Sequence, residues 1–397
     1  CGCSGDVSCG SLPSHEAVFG VEASMDPSQQ HHTPKQGATA QQIKAFCQRH
    51  TVTLQGVQRV LERFARRRVL VVGDPILDRY VHCEALASTE DACPSVVPQH
   101  EAWSVGGAGL IAHLMASLGA HVELLTATCS ERFMDLCREA RVGVHTAQVA
   151  GRTTPIKTRY VVGGVKVLKV TEGTPSPLSS TANRQLLSMM AALIPDMDAL
   201  VVADFGHHLW GAELLDGLRG LLQTHPCACY LDVSGVGSST LLALHQPRLA
   251  APHMAELRAA LEAAHLITSS PDAGPAALAE HYLKATGAEH LIATLGSEGL
   301  CLWSPATSLL GEHLPSLADH CIDPVGAGDA LLAAMVLADA SAAPVAHSAY
   351  LGSALAALQI QVLGHRAISA DALGAYVAQR PEWAGLQTRE GKAQGSA

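Results

Sequence analysis

Short apolar runs recur along this chain, and several close on an aspartate: Val69-Leu70-Val71-Val72-Gly73-Asp74, Leu200-Val201-Val202-Ala203-Asp204 and Cys229-Tyr230-Leu231-Asp232-Val233. Continuous apolar residues without alternation predict strands covered on both faces, the habit of a parallel sheet between helices. Runs at 122–126 and 290–294 extend the set. Between the runs the period becomes helical, over about 109–118, 131–140, 180–194 and from 329 to near 359. A helical period over 41–67 places Leu54, Val57, Val60, Leu61 and Phe64 on one face. Arg59, Arg63, Arg66, Arg67 and Arg68 crowd its end, where they read as an anion patch or, preferably, as charges complementing a helix C-terminus. Two segments alternate instead: 80–104, read as short strands, and 155–172, where Gly163-Gly164 joins two runs as a hairpin. Together they predict a small β lid. The whole pattern predicts an α/β fold on a mainly parallel central sheet, filling residues 69–380. A loosely held polar leader (1–40) and a helical extension (41–68) precede it, and a polar tail (381–397) follows.

Composition narrows the function. The chain has 397 residues, 48% hydrophobic and 16% charged, enough for a large core. A net charge of −10 and 4% aromatics argue against nucleic-acid binding. The 12 cysteines are scattered, with no Cys-x-x-Cys, and the 21 histidines include no His-Glu-x-x-His. A disulfide scaffold or zinc centre is therefore not expected. No run of 18 apolar residues predicts a membrane span. The first residues show neither the basic start nor the apolar core of a signal peptide, so a reducing cytoplasm is expected. The chain begins with Cys1 rather than Met, which leaves a longer parent chain open.

The chemistry concentrates in Asp323-Pro324-Val325-Gly326-Ala327-Gly328-Asp329, which leads straight into an apolar helix. A helix entered through Gly-Ala-Gly presents unpartnered N–H groups and the positive end of its dipole, an anion site. Asp329 in the first turn stands beside it as a candidate base, and the pair is the minimum kit for phosphoryl transfer to a hydroxyl. Asp74 and Asp78 lie at the carboxyl end of the first strand, where α/β sheets bind ligands and where carboxylates can accept hydrogen bonds from sugar hydroxyls. Lys157 and Arg159 on the hairpin read equally as contacts to a substrate phosphate or as solvent-facing charge. Two patterns mislead. Gly107-x-Gly109-x-x-Ala112 fits a dinucleotide fingerprint, but the next strand does not end in an acid. Asp204-Phe205-Gly206 spells a protein-kinase trio without its His-Arg-Asp loop.

The 323–329 segment resembles the Asp-Thr-x-Gly-Ala-Gly-Asp signature of the ribokinase-like (PfkB) carbohydrate kinases, with Pro324 at the Thr position. Gly73-Asp74 through Asp78-Arg79-Tyr80 is similar to the opening of the heptose-phosphate kinases of that family. Thr294-Leu295-Gly296-Ser297-Glu298-Gly299 resembles its nucleotide segment. The resemblance implies a ribokinase-like three-layer α/β/α sandwich with a β lid, and transfer of phosphate from ATP, with Mg2+, to a sugar or sugar phosphate. A monovalent cation is a further candidate. It implies Asp329 as base and Gly326, Ala327 and Gly328 as the anion cradle. It implies Asp74, Asp78, Gly106, Gly107, Lys157 and Arg159 at the sugar, and Thr294, Gly296, Gly299 and Asp323 at the nucleotide. Glu256, in Pro252-His253-Met254-Ala255-Glu256, would order magnesium-bound water. A homodimer through the lid is expected by analogy. Leu110 and His253 both stand where the family has Asn, and they keep open a second reading: a sugar-binding regulatory protein without catalysis.

Overall fold

The computed structural model describes residues 36–86, 93–147, 149–234, 240–267 and 274–384. The leader up to residue 35 and the tail beyond 384 lie outside the described residues. The first strand, β1 (Arg68–Gly73), leads into two lid strands, β2 (Pro75–Leu86) and β3 (Ser95–Gly107). The main sheet then resumes with β4 (His121–Thr126) and β5 (Gly143–Thr146). A second lid pair, β6 (Ile156–Val162) and β7 (Val165–Glu172), is followed by β8 (Ala199–Asp204), β9 (Ala228–Val233), β10 (Leu249–Ala250) and β11 (His290–Thr294). Strands β12 (Leu300–Ser304) and β13 (Leu309–Leu314) close the set.

These form a nine-stranded sheet, β13-β12-β11-β10-β9-β8-β1-β4-β5, and a four-stranded lid, β3-β2-β6-β7. The main sheet is parallel except where β12 and β13 pair antiparallel at its edge. From β1 the strand order runs one way to β4 and β5 and the other way to β8. The carboxyl end of β1 is therefore a topological switch point, the place where such sheets open a ligand crevice.

Strand alternation builds the layers. Val69 and Val71 of β1 face one core, Leu70 and Val72 the other. The first core is closed by α1 (Gln36–Arg49), α2 (Leu54–Leu61), α3 (Ala108–Ser117), α4 (Glu131–Glu139), α10 (Ala327–Ala340), α11 (Val345–Gln359) and α12 (Ala370–Ala378). The second is closed by α5 (Ser180–Leu193), α6 (Ala212–Thr224), α7 (Thr240–Ala243), α8 (Met254–Ala263) and α9 (Pro275–Thr286). Helix α10 is buried from Ala330 to Asp339 on all sides, packed between α3 and α11, which is why its sequence has no polar face.

Several details differ from the sequence expectations. The single helix expected over 41–67 is two, broken where Thr51 takes a positive φ of 53° and Thr53 caps α2 through Gly56 N at 3.0 Å. The arginines that follow α2 cap a different helix: Arg63 donates to Ser341 O and Arg67 to Ala340 O, each at 3.1 Å, at the carboxyl end of α10. The lid strands are long rather than short, and β2 starts immediately after Asp74, so Asp78 belongs to the lid. The polar tail begins later than 381, because Glu382 and Trp383 are buried and Tyr350 donates to Glu382 Oε1 at 2.6 Å.

Candidate active site

The site is built on the amino end of α10. Gly326 caps the helix with φ +82°, and a Cβ there would lie 2.9 Å from Leu110 Cδ2 and 3.0 Å from the His365 ring. Only glycine makes that turn without strain. Above Gly328 there is open space instead: a Cβ on that residue would meet nothing within 4 Å. Ala327 N bonds Pro324 O at 3.3 Å, while the N–H groups of Gly328 and Asp329 belong to the helix's first turn, whose donors have no intrahelical acceptor. Beside them Asp329 Oδ1 is buried and has no hydrogen-bond partner. Desolvation raises the Asp329 carboxyl to about 6, with Lys157 pulling it down and Asp78 pushing it up.

Asp323 holds this entry in place. It is 1% exposed and accepts from Tyr80 Oη (2.7 Å), Lys166 Nζ (2.6 Å), Val325 N (3.1 Å) and Gly364 N (3.2 Å). Burial would raise its carboxyl, but these donors outweigh it and hold the group below the usual range. Two donors come from the lid and one from the loop after α11, so Asp323 ties both of these to the phosphate loop. All four contacts are internal, which leaves its carboxylate committed rather than turned toward a nucleotide.

The lid places a second group of residues over the same crevice. In the parallel β2–β6 pair, Asp78 faces Lys157 and Tyr80 faces Arg159, which sets these four side chains on one face. Asp78 forms a buried ion pair with Arg159 and lies 3.2 Å from His365 Nε2. Those partners outweigh desolvation and keep the Asp78 carboxyl below its usual range. Gly106 is required by this cluster, since a Cβ there would strike Asp78 Oδ2; a Cβ on Gly107, φ +56°, would lie 2.8 Å from Asp74 O. Arg159 is thus spent on Asp78. Lys157 and Lys169 have no ion-pair partner among the described residues, and burial lowers the Lys157 ammonium.

Asp74 departs from the sequence expectation. It is 0% exposed, and its carboxylate accepts from Phe205 N (2.9 Å), His207 N (3.2 Å) and Leu209 N (3.2 Å), stapling the loop after β8 instead of facing the crevice. Burial and the neighbouring Asp204 raise it to about 6.

On the far side of the crevice, Thr294 ends β11 and bridges to His253. Gly296 is open on all sides at φ +62°, whereas Gly299 is fixed by the backbone of Leu314, which a Cβ would strike. His253, at the Asn position, caps α8 through Nδ1 to Ala255 N at 3.2 Å. Glu256 answers by accepting from His253 N at 2.8 Å, a capping box.

Sequence reasoning missed Lys166 and Lys169 of the lid, and it missed Asp232 and His365. Asp232, at the end of β9, is buried with Oδ2 unpartnered, and desolvation with the charges of Asp329 and Glu256 pushes it well above the carboxylate range. Its place in the series of strand-ending aspartates was the available signal. His365 had none, because it lies far along the chain in an irregular loop.

Known proteins resemble this chain in fold and in sequence. The phosphofructokinase-2 of Escherichia coli in complex with fructose-6-phosphate superposes with a TM-score of 0.62 at 20% identity, covering 79% of this chain and 99% of that one. A ribokinase of Arabidopsis thaliana complexed with ribose and ATP gives 0.58 at 16% identity, covering 78% and 98%. Both likenesses are of fold. In sequence, the bifunctional protein HldE of Rhodospirillum rubrum is 27% identical over 340 residues, and that of Caulobacter vibrioides 28% over 322. The chain spans 64% of the length of each of these relatives, which in turn cover 81% and 79% of it. Residues 66–372 match the pfkB family carbohydrate kinase pattern, and with three-quarters of the chain inside that match, the chain belongs to the pfkB family of carbohydrate kinases.

Proposed function

We propose that the chain transfers the terminal phosphoryl group of ATP to a hydroxyl of a sugar phosphate of the heptose type. The observation that carries this reading is the unpartnered Asp329 Oδ1 beside the open amino end of α10, under a lid with two uncommitted lysines. The acceptor hydroxyl lies against Asp329, which takes its proton as the new oxygen–phosphorus bond forms and the bond to the ADP oxygen breaks. The N–H groups of Gly328 and Asp329 face the charge on the transferring group, while Ala327 N–H is held by Pro324 O; Thr294 and Gly296 border the nucleotide side. Asp78, fixed by Arg159 and His365, orients the sugar, and Lys157 and Lys169 meet its phosphate.

Among the described residues no group of three or more His, Cys, Asp and Glu could hold a metal directly, so a divalent ion such as magnesium would sit here hydrated. Asp232 Oδ2 and Asp329 Oδ1 are orphaned acceptors in one acidic neighbourhood with Glu256. Asp232 and Glu256 would hold the hydrated ion, which when bound neutralises nucleotide phosphate charge. The described cysteines are free, and no described helix is long and apolar enough to cross a membrane; a reducing, cytoplasmic setting remains part of the proposal. A monovalent cation belongs to the proposal because a phosphofructokinase-2 neighbour is known in complex with potassium. So does a homodimer through the lid, whose outer strand is exposed.

The regulatory-protein reading rested on Leu110 and His253. Leu110 is buried against Gly326, and His253 caps α8 with its ring nitrogen, so neither residue disrupts the site's frame. The test is a coupled ADP-release assay with fructose 6-phosphate, ribose and sedoheptulose 7-phosphate, alongside calorimetry on each sugar. The expected result is turnover that favours the heptose phosphate. A sugar that binds without turnover would overturn the kinase reading in favour of a binding protein.

A further inference from the structure

We infer that His365 is a positioning residue, a neutral imidazole whose Nε2–H fixes the sugar-facing carboxylate of Asp78 against the phosphate loop. The inference rests on the kinase reading above, and it follows from a chain of hydrogen bonds that leaves the ring one tautomer. Gln359 is fully buried, and its Nε2 lies 3.2 Å from Gly364 O and 3.3 Å from His365 Nδ1. A backbone carbonyl only accepts, so the amide nitrogen of Gln359 must be the atom facing it. That same NH2 group then points its other hydrogen at His365 Nδ1, which must accept. The ring proton is therefore on Nε2, 3.2 Å from Asp78 Oδ2, and the ring donates to the carboxylate. Asp78 already has Arg159 as its counter-charge on Oδ1, so it needs a neutral donor on Oδ2 rather than a second cation.

The ring also touches the phosphate loop. Its Cε1 and Nδ1 would lie 3.0 Å from a Cβ on Gly326, the αL cap of α10. The imidazole side chain is 3% exposed, so it cannot swing aside without opening that packing. The preceding residue, Gly364, donates to Asp323 Oδ2, which anchors the start of the same loop. One side chain thus sets the distance between the carboxylate that holds the sugar and the helix end that holds the transferring phosphate. Small displacements between reacting groups are costly, which makes such a spacer consequential.

Two measurements test this on the full-length chain. The first needs no ligand: nitrogen NMR of the histidine rings, with the His365 signals identified by their loss in His365→Phe. Expected is an Nε2-protonated ring in the parent and a loss of that preference in Gln359→Leu. An Nδ1-protonated or doubly protonated ring at neutral pH overturns the inference, whatever the enzyme's activity. The second uses the sugar that the panel above shows to be phosphorylated. His365→Phe should raise the KM for that sugar about 10-fold or more, with the KM for ATP within about 2-fold. His365→Gln, whose amide can replace the Nε2–H, should restore most of the loss, and the Asp78→Asn/His365→Phe pair should be non-additive. A purely structural role would lower the melting temperature, move both KM values together and show no rescue by Gln; that result overturns the inference too. If the parent phosphorylates no sugar, the kinase reading fails, and the ring measurement still decides the geometry.

Discussion

Asp329 and Asp74 both titrate near 6, for related reasons and with different consequences. Asp329 must be ionised to accept a proton, so kcat/KM for the sugar should fall as pH drops through about 6. Asp329→Asn keeps the helix entry but cannot take the proton; turnover should fall by about 10²–10⁴ while nucleotide affinity holds. Turnover within a few-fold of the parent removes Asp329 as the base. Asp74 acts on stability instead. Its ordinary value is 3.8, so between about pH 4 and 6 the native state holds a proton that the unfolded chain has released. Its contribution is complete below about pH 4 and lost as pH rises through about 6, amounting to about 3 kcal/mol. Urea titrations should show Asp74→Asn gaining on the parent by about that amount between pH 4 and 7. A difference independent of pH refutes the titration. Asp74 and Asp329 were legible as candidates, because one closes an apolar strand and the other opens a glycine-led helix. Which way each points was not: Asp74 turns inward because three backbone donors of the 205–209 loop converge on it, and no local pattern announces such a convergence.

At the scale of one element, α10 joins fold and chemistry. Its middle is sealed on every side, its amino end opens on the crevice, and its carboxyl end is capped by Arg63 and Arg67. Positive charge at that end complements the dipole, as the sequence suggested, although the helix served is not the one the arginines follow. The two glycines of the entry should separate cleanly on substitution. Gly326→Ala meets Leu110, His365 and a positive φ, and should destabilise the protein. Gly328→Ala meets nothing and lies inside a helix, where Ala is favoured over Gly by about 0.5–1 kcal/mol. Its melting temperature should hold or rise while kcat/KM for ATP falls more than about 10-fold, because the methyl group fills the space above the helix end. Melting curves and ATP kinetics on the same preparations check this, and unchanged ATP kinetics would place the phosphate elsewhere. The helix and its glycines were legible because a turn, a cap and an anion site share a few adjacent residues. His365 was not, because its contact with Asp78 spans 287 positions, and only the folded chain brings the two together.

At the scale of the whole molecule, the lid is the part that does not complete itself. The α/β alternation made the main sheet legible, and the Gly163-Gly164 hairpin made the lid legible, but the alternation of a lid strand does not identify the partner that covers it. Strand β7 lies at the open edge of the lid and is exposed along its whole length. Val165, Val167 and Leu168 are 64%, 54% and 55% exposed, and Val170 is exposed beside them. A long apolar edge strand invites pairing or aggregation, and proteins that keep one usually cover it. The neighbouring sites on β6 and β7, Lys157, Lys166 and Lys169, are cationic and turned to the crevice or to Asp323, so the cover must meet the apolar positions without displacing them. A second copy of the chain, placing its own lid against this one, satisfies that condition, and we expect the protein to be a dimer. Leu168→Lys/Val170→Lys puts two charges at alternate positions of the strand, where like charges from two subunits would meet. Sedimentation should show a dimer for the parent and a monomer for the variant, with little change in melting temperature at low concentration, since both side chains are exposed in the single chain. A monomeric parent at micromolar concentration, or a variant that stays dimeric, would show that β7 is covered by something other than its counterpart.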